Sequence, residues 1–519
     1  METHLLNSPD GQHQRDDLIA PFDKSEISGG IKRLKTGKAS SFDIVNNEIL
    51  KAMADIITPI LVLFFNNILK NETFPIAWSI GLLIPLFKSG ENDDPNNYRG
   101  NTISSCLSKL VMLLLNDRMS KFCEDNSVIH YNQIGFRKGF RPADHVFTLK
   151  TMIDQAFSNK KKLYTCFVDF KKAYDTIWRD GLYYKLIQNG VNNGFIRLLK
   201  NIYSNSLLCI QLPFGVSSTF PSNIGLKQGC NLSPILFNLF INDFIDGLRS
   251  HNKSAACLQG LPINCLLYAD DLVLISESEE GLQDLLDKLY QFASSWFLEI
   301  NPKKTKCVTF SRSVKGTNKT MVFGDTVISY ADSYCYLGNL LSSNGSLNKA
   351  GHTLHDKAIK AMYAITRKIY KYNTCSIKTM VNIFDKMILP IATYNSEIWG
   401  TMCFPVNKKN TKFIHIDNRK NPVEDLQVKF CKRLLRVSDK TTNWAVISEI
   451  GRYPTCILVI SSMIKFWFHL TQSSSPILNA ALQTSVGLSV LSYNSWFTYC
   501  WMLSFICIRV PFNIYLYLS

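Results

Sequence analysis

The chain has 519 residues, enough for about two or three packed domains, and its 46% hydrophobic content is typical of a globular protein rather than a disordered one. Its 57 lysines and arginines outnumber 41 acidic residues, and the net charge of +16 favours a polyanionic partner, either nucleic acid or an acidic membrane surface. Fifteen cysteines without a C-x-x-C pair argue against a zinc ribbon or a disulfide framework and favour reduced, intracellular thiols.

The first twenty residues are polar, which argues against a secretory signal, and no segment addresses the chain to an organelle. Beyond them, Asp23 followed three residues later by Glu26 predicts the start of a helix. The apolar residues Ile27, Ile31 and Leu34 share one face of that helix.

Further elements follow in chain order. The short apolar run Gly81–Gly90 predicts a strand followed by a loop, and Lys161–Phe170 predicts another strand. Asp175 is placed to cap the next helix, and Leu282–Phe297 carries leucines at helical spacing.

The C-terminal part changes in composition. Glu424–Val437 predicts a helix with an apolar face and with basic residues elsewhere around it, which suit either phosphates or solvent. The basic residues are Lys429, Lys432, Arg433 and Arg436. From Phe466 onwards the only charged residue is Arg509. The apolar stretch Tyr493–Ile508 is shorter than the roughly 20 residues of a membrane helix and is interrupted by polar residues. We therefore expect no stable membrane partner, and the origin of this segment is uncertain.

Two adjacent carboxylates, Asp270 and Asp271, interrupt the apolar run Cys265–Ser276. The flanking residues lack a helical period, which predicts two short strands joined by a tight turn at Ala269 to Asp271. Burying an ionised carboxylate costs several kcal/mol unless a cation compensates it. The acids are therefore either ordinary turn residues in water or ligands of a cation.

A third acid, Asp169, ends the strand within Lys161–Phe170. A carboxylate at a strand end is well placed for Mg²⁺, which proteins hold with one or two carboxylates plus substrate phosphates. Acids from two strands can hold two ions about 3.5 to 4 Å apart, one activating a hydroxyl and one stabilising a leaving oxygen. The pattern predicts chemistry on phosphate esters.

These acids lie in motifs that resemble, in order, those of the reverse transcriptases of non-LTR (LINE-type, jockey-like) retrotransposons. The palm motifs are matched by FVDFKKAYD, GLKQGCNLSPILFNLFIND and YADD. Upstream, the fingers and the segment before the palm are matched by IPLFK, NNYRGNTIS and QIGFRKGFRPADHVFTL. Downstream, the palm-closing elements and the thumb are matched by INPKKTKCVTF, CYLGNLLSSNG and ATYNSEIWG. The resemblance covers about Pro21 to Pro454.

The resemblance implies an α+β fold of the right-hand polymerase type, with fingers, a palm whose antiparallel sheet carries the acids, and a helical thumb. The implied segments are a polar tail (1–20), fingers (21–150), palm (151–345), thumb and basic C-terminal region (346–465) and the charge-poor tail (466–519). Asp169, Asp270 and Asp271 are the implied catalytic metal ligands.

The resemblance also implies residues that bind the nucleotide. Lys88 and Arg99 match the cations of the fingers, whose charges suit a triphosphate, although either is also consistent with a solvated surface residue. Tyr174 matches the aromatic placed against the sugar, or it is a core aromatic. Three further residues are implied: Gln228 and Gly229 in the nucleotide pocket, and Lys304 as a proton donor to pyrophosphate.

The implied activity is RNA-directed DNA polymerisation, with an RNA template, a DNA primer, deoxynucleoside triphosphates and Mg²⁺, Mn²⁺ being the alternative. We expect the chain to lack the N-terminal endonuclease of the family and to depend on a separate endonuclease in trans. An intracellular location is expected, in the nucleus or in a cytoplasmic ribonucleoprotein.

Two alternatives stay open. One is an inactive, truncated element fragment that binds nucleic acid without polymerising, which the charge-poor tail and the missing endonuclease motivate. The other is an intron-type reverse transcriptase, with which QGCNLSPILFN and ATYNSEIWG agree less well.

Overall fold

The structure, a computed structural model, describes residues 16–39, 41, 45–88, 90–249, 255–312, 319–372, 375–403, 421–491, 493 and 495–509. Helices and strands are mixed along the chain, which confirms the predicted α+β class. The helices are α1 (Lys24–Arg33), α2 (Asn47–Ala52), α3 (Ala54–Asn71), α4 (Ile76–Ser79), α5 (Cys106–Asp125), α6 (Pro142–Ser158), α7 (Arg179–Gln188), α8 (Asn193–Ser204), α9 (Ser233–Arg249), α10 (Glu279–Ser295), α11 (Asn348–Tyr372), α12 (Ile377–Ile383), α13 (Leu389–Ala392), α14 (Ser396–Trp399), α15 (Pro422–Leu435), α16 (Asn443–Glu449), α17 (Cys456–Gln472), α18 (Pro476–Val490) and α19 (Trp496–Arg509).

The strands are short and fall into separate sheets. They are β1 (Ile80–Phe87), β2 (Tyr98–Ile103), β3 (Leu163–Val168), β4 (Leu207–Leu212), β5 (Gly215–Val216), β6 (Phe220–Pro221), β7 (Cys257–Leu258), β8 (Leu261–Pro262), β9 (Cys265–Tyr268), β10 (Asp271–Ser276), β11 (Lys306–Phe310), β12 (Met321–Phe323), β13 (Thr326–Ile328), β14 (Ser333–Tyr336) and β15 (Asn339–Ser342).

The first helix begins as its sequence predicts. The Asp23 side chain accepts a hydrogen bond from the Glu26 N–H at 2.8 Å, and the Glu26 carboxylate accepts one from the Asp23 N–H at 3.2 Å. This reciprocal capping satisfies two of the backbone donors left over at a helix start. Ile27 and Ile31 are fully buried, so the predicted apolar face is confirmed.

The first sheet combines distant parts of the chain. Strand β1 pairs antiparallel with β2 and parallel with β4, and β4 also pairs with β5 and β6. The strand predicted from Gly81–Gly90 is therefore confirmed as β1. Its register places Leu86 opposite Arg99, which sets the position of that cation on the sheet.

The second sheet has the order β11–β3–β10–β9, and each neighbouring pair is antiparallel. Successive side chains of a strand point to opposite faces. In β10, Leu272 and Leu274 therefore enter one hydrophobic core while Val273 and Ile275 enter another. Both faces are covered, which explains why these strands read as continuous apolar runs.

The two cores divide the helices between them. The first contains buried residues of α1, α5, α7, α8, α9 and α10. The second contains buried residues of α6, α11, α15, α17, α18 and α19. The leucines at positions 282, 285, 286 and 289 are fully buried, which confirms the helix predicted there.

The charge-poor segment after 465 belongs to the second core. Phe147 of α6 contacts both Phe466 and Trp496, with ring centroids 5.7 and 5.1 Å apart. The Trp496 indole N–H donates to the Glu397 carbonyl oxygen at 2.7 Å. Because these helices pack into a core, their low charge has a structural reason, while the boundary at 466 stays a prediction. Among the residues described, no helix has both the length and the apolar character needed to cross a bilayer.

Helix α15 carries the predicted apolar face, since Leu426 and Phe430 are buried. Its predicted basic side is smaller than expected. Lys432 is buried, and its ammonium donates to the Asp439 carbonyl oxygen at 2.6 Å. Lys432 is therefore a structural residue, and we correct its assignment to a surface facing phosphates.

Candidate active site

The two adjacent acids lie at a hairpin. Strands β9 and β10 are antiparallel, Asp271 pairs with Tyr268, and Ala269 and Asp270 form the turn between them. The predicted pair of strands with a tight turn is confirmed. Ala269 has φ +56°, a left-handed conformation that costs a residue with a side chain about 1–2 kcal/mol. The surrounding structure must hold this residue in place.

A buried glutamine holds it. Gln133 is fully buried, and its side-chain oxygen accepts a hydrogen bond from the Ala269 N–H at 2.8 Å. Its side-chain nitrogen donates to the Ala269 carbonyl oxygen at 3.1 Å. A Cβ atom on Gly135 would lie 2.2 Å from the Ala269 nitrogen, so only glycine fits beside the turn. The residue before Asp270 is thus fixed through both of its backbone groups.

A second buried contact secures strand β9. The Nε2 atom of His145 lies 3.0 Å from the carbonyl oxygens of both Asn132 and Leu267, so Nε2 carries the proton. Burial lowers the pKa of His145 to about 4, against the smaller opposing effect of these two carbonyls. His145 is therefore neutral at physiological pH and acts as a fixed donor. Sequence reasoning missed Gln133 and His145 because neither a lone glutamine nor a lone histidine signals a clamp.

Asp169 reaches the same edge from β3, as predicted. The register pairs Val168 with Leu272, so Asp169 and Asp271 come next at the same end of the sheet. The Asp169 N–H donates to the Thr305 hydroxyl at 3.2 Å, and the Asp169 side chain is 32% exposed. The structure thus places the three predicted acids at the same end of the sheet.

Burial and the charges of the neighbouring acids both affect the ionisation of Asp270 and Asp271. Burial raises the pKa of Asp270, and the charge of Asp169 raises it further, while Arg99 and Lys88 oppose the shift. Loss of hydration raises the pKa of Asp271 to about 6, and the charges of Asp270 and Asp169 add to the effect. Carboxylates crowded in this way gain from a bound cation.

The acids suit a hard divalent cation in chemistry and in charge. In the part of the chain described, no group of three or more His, Cys, Asp or Glu side chains is arranged to hold a metal ion by itself. Mg²⁺ does not require one, because it keeps several water ligands and is usually held by one or two carboxylates and by substrate phosphates. The carboxylates here fit that chemistry.

The predicted cations stand around the acids. Arg99 is exposed on β2, and its Nε donates to the Gln228 side-chain oxygen at 3.0 Å. Lys88 is exposed just after β1. The Lys304 ammonium lies 4.0 Å from the Asp169 carboxylate and is 65% exposed, which makes a solvated ion pair rather than a hydrogen bond.

Gln228 connects Arg99 to Asp175, which the sequence predicted as a helix cap. Asp175 does not cap a helix, because α7 begins only at Arg179. Instead the Asp175 carboxylate accepts a hydrogen bond from the Gln228 side-chain nitrogen at 2.7 Å. The prediction of a cap was wrong since the chain makes a turn after β3 before it enters the helix.

Gly229 lies beside strand β2. Its φ is +101°, and a Cβ atom there would lie 2.8 Å from the Thr102 carbonyl oxygen. The neighbouring Gln228 carbonyl oxygen accepts a hydrogen bond from the Thr102 N–H at 3.0 Å. The glycine therefore permits the close approach of this loop to the sheet.

These residues surround one cavity of about 590 Å³. Its lining includes Arg99, Tyr174, Gln228, Gly229 and Asp270. The Tyr174 ring stacks on Phe237 with centroids 4.9 Å apart, so it is both a core aromatic and a wall of the cavity. Burial raises the pKa of Tyr174, and among the described residues its buried hydroxyl has no hydrogen-bond partner. The volume lies in the usual range for a pocket that binds a small molecule.

Comparison with known proteins agrees with the motifs. Residues 88–341 match the family model described as reverse transcriptase (RNA-dependent DNA polymerase). The chain is 26% identical over 393 residues to the probable RNA-directed DNA polymerase from transposon BS of Drosophila melanogaster, covering 74% of this chain and 42% of the relative. It is 24% identical to the RNA-directed DNA polymerase from mobile element jockey of Drosophila funebris, covering 73% of this chain and 42% of the relative. The chain thus spans less than half the length of these relatives.

Solved structures with similarity to the chain include apo telomerase from Candida tropicalis, with 11% identity and a TM-score of 0.38 over 78% of this chain and 68% of that one. Telomerase from Candida albicans, in complex with a fragment of telomeric RNA, matches with 11% identity and a TM-score of 0.36 over 86% of this chain and 80% of that one.

Proposed function

We propose that this chain is the polymerase of a non-LTR retrotransposon, because residues 88–341 match the reverse transcriptase family model and the chain is similar to the RNA-directed DNA polymerases of transposon BS and of jockey. It extends a primer 3′-hydroxyl with deoxynucleoside triphosphates on an RNA template. The observation that carries this proposal is the meeting of Asp169, Asp270 and Asp271 at one edge of an antiparallel sheet, beside a cavity lined by Arg99 and Gln228.

Asp169, Asp270 and Asp271 hold the divalent cations, Mg²⁺ first and Mn²⁺ as an alternative. When bound, the cations make the primer hydroxyl a better nucleophile and stabilise the charge on the leaving pyrophosphate. The protein holds the three acids in fixed positions. Its acids stand at the ends of paired strands, and the turn before Asp270 is fixed by Gln133.

The nucleotide occupies the 590 Å³ cavity. Arg99 binds the triphosphate through its planar fork, and Lys88 adds a point charge. Gln228 and Gly229 form the wall of the pocket, and Tyr174 meets the sugar, where a ring disfavours a 2′-hydroxyl. Exposed Lys304, held near Asp169, is the proton donor to the leaving pyrophosphate.

The segments 21–150, 151–345 and 346–465 are the fingers, palm and thumb in this proposal. The first sheet adds one refinement. Strands β1 and β2 come from the fingers segment, whereas β4, β5 and β6 come from within 151–345. The first sheet therefore joins strands from both segments.

RNA template and DNA primer are the proposed macromolecular partners, and the net charge of +16 supports binding to both. A separate endonuclease in trans stays a prediction.

The test is primer extension on poly(rA)/oligo(dT) with Mg²⁺ or Mn²⁺. We expect Asp270→Asn to lower incorporation by about a thousandfold or more, since a metal ligand and its charge are lost. Asp246→Asn, on the exposed side of α9, is the matched control and keeps full activity.

Two outcomes would contradict the proposal. Equal incorporation by the wild type and Asp270→Asn would remove the metal-binding role of the hairpin. Salt-sensitive RNA binding without incorporation by a folded wild type would instead identify an inactive fragment that binds nucleic acid.

A further inference from the structure

We propose that Asp175 is a positioning residue of the nucleotide pocket, which orients the Gln228 side chain so that its oxygen faces Arg99. This inference rests on the proposed function, because it concerns the pocket that would hold the incoming nucleotide. It adds a residue to which neither the motif comparison nor the family match gives a role.

The three side chains form a directional chain of hydrogen bonds. Arg99 Nε donates to the Gln228 oxygen at 3.0 Å, and the Gln228 nitrogen donates to the Asp175 carboxylate at 2.7 Å. A reversed amide would place its NH₂ against the guanidinium and its oxygen against the carboxylate. Both contacts would then be repulsive, so the two charged ends select one orientation of the amide.

The backbone places Asp175 at the correct distance. The Leu226 N–H donates to the Tyr174 carbonyl oxygen at 2.7 Å, and the Gly225 N–H donates to the Ile177 carbonyl oxygen at 3.0 Å. Gly225 has φ +75°, and a Cβ atom on it would lie 2.5 Å from the Asp175 carbonyl oxygen. The loop that carries Gln228 is therefore fastened directly onto the turn that carries Asp175.

In this arrangement the exposed Asp175 carboxylate orients the Gln228 amide and, through it, the Arg99 side chain. Gln228 and Arg99 both line the cavity, so the orientation of one amide sets the hydrogen-bonding pattern on that wall. With Nε anchored to Gln228, the guanidinium plane of Arg99 is fixed, and its terminal amino groups meet the triphosphate in a constant geometry. Fixing the plane before binding reduces the ordering required when the nucleotide arrives.

The test compares Asp175→Ala and Asp175→Asn with Asp180→Ala, a control at the exposed start of α7. We expect Asp175→Ala to raise the KM for the nucleotide about tenfold, with kcat within about twofold, since one charge-assisted hydrogen bond is lost. Asp175→Asn keeps an acceptor for the Gln228 nitrogen, so its KM rises by less than about threefold. Asp180→Ala leaves both constants unchanged.

A swap separates positioning from a general structural effect. Gln228→Glu places a second carboxylate against Asp175, and adding Asp175→Asn restores a donor and an acceptor between the two positions. The double variant should recover a lower KM than Gln228→Glu alone. Failure of this recovery, or a KM for Asp175→Ala equal to that of Asp180→Ala, would overturn the inference.

Nucleotide binding keeps the test independent of turnover. The shift in melting temperature caused by dTTP with Mg²⁺ is measured for the wild type, Asp175→Ala and Asp180→Ala. If the wild type incorporates nothing, the proposed function fails, and a weaker shift for Asp175→Ala alone still supports the positioning role. A wild type with neither incorporation nor a shift overturns both proposals, and where the wild type incorporates nucleotide without a shift, an unchanged KM for Asp175→Ala overturns the positioning role.

Discussion

The hairpin that carries Asp270 and the cavity wall that carries Arg99 are held in place by different kinds of contact. The turn at Ala269 is held by a fully buried glutamine and lies on a sheet with a core on each face. Arg99 and Lys88 are exposed, and Arg99 is held by hydrogen bonds that run through Gln228 to the exposed carboxylate of Asp175. The difference teaches that the turn before the acids is fixed through buried backbone contacts, whereas Arg99, the proposed ligand of the triphosphate, is fixed through exposed side chains.

The largest effect is expected on the hairpin. Gln133→Leu leaves the N–H and the carbonyl oxygen of Ala269 buried without their partner. Each unsatisfied group costs about 1–3 kcal/mol, so we expect the free energy of unfolding to fall by about 3 kcal/mol, with a loss of polymerase activity. Urea denaturation measures the first and primer extension the second.

The matched control is Gln291→Leu on the exposed face of α10, which should change the free energy of unfolding by less than about 0.5 kcal/mol. If Gln133→Leu behaved like this control, the hairpin would not depend on its buried clamp, and the contrast between the two regions would disappear.

A smaller effect is expected on the nucleotide wall. Arg99→Lys keeps the charge but removes the Nε donor to Gln228. We expect the KM for the nucleotide to rise about tenfold with little change in unfolding, measured by steady-state primer extension and urea denaturation. Arg33→Lys, in an exposed pair with Asp117, is the control. A large loss of stability in Arg99→Lys would place this wall in the same class as the hairpin.

The smallest effect concerns the cost of ionising Asp271, which burial and the neighbouring acids raise. The pKa of Asp271 in the folded chain is about 6, above the value of about 3.9 expected in the unfolded chain. Its contribution to stability is therefore fully present below about pH 3.9 and is lost as the pH rises through about 6. Asp271→Asn should increase the free energy of unfolding at pH 7.5 without metal by about 1 kcal/mol, a value reduced for solvent screening.

The measurement is urea denaturation in EDTA at pH 7.5 and pH 4, where the difference between Asp271→Asn and the wild type should vanish at the lower pH. Metal binding should weaken as the pH falls through about 6, because the protonated acid is no longer a ligand. A difference that is the same at both pH values would exclude the repulsion between the acids as its cause.

The sequence predicted what depends on local pattern. The hairpin of Asp270 follows from two apolar runs around a turn, and the position of Asp169 follows from an apolar strand that ends there. Alternation along one strand does not reveal which residue elsewhere holds the turn. Gln133 lies 136 positions before Ala269, so its role appears only when the chain has folded.

Asp175 shows a second limit of prediction. An aspartate before a helical pattern is usually a cap, but the turn after β3 carries this carboxylate to Gln228, 53 positions away. The tail shows a third limit. Low charge after Phe466 gave no indication that Phe466 and Trp496 pack against Phe147, and the uncertain origin of the segment stays a prediction. Tertiary contacts decide such cases and composition does not.

The packing of the last helices also has a consequence for synthesis. Val273 in the acid-bearing strand shares its core with Trp496, more than 200 positions later. A ribosome that adds about 5–20 residues per second needs on the order of ten to forty-five seconds to connect the two. During that interval helix α6, already synthesised, covers part of that side of the sheet, and the core still lacks the residues of α17, α18 and α19. The core behind the acid-bearing sheet is thus completed only after residue 496 has been synthesised.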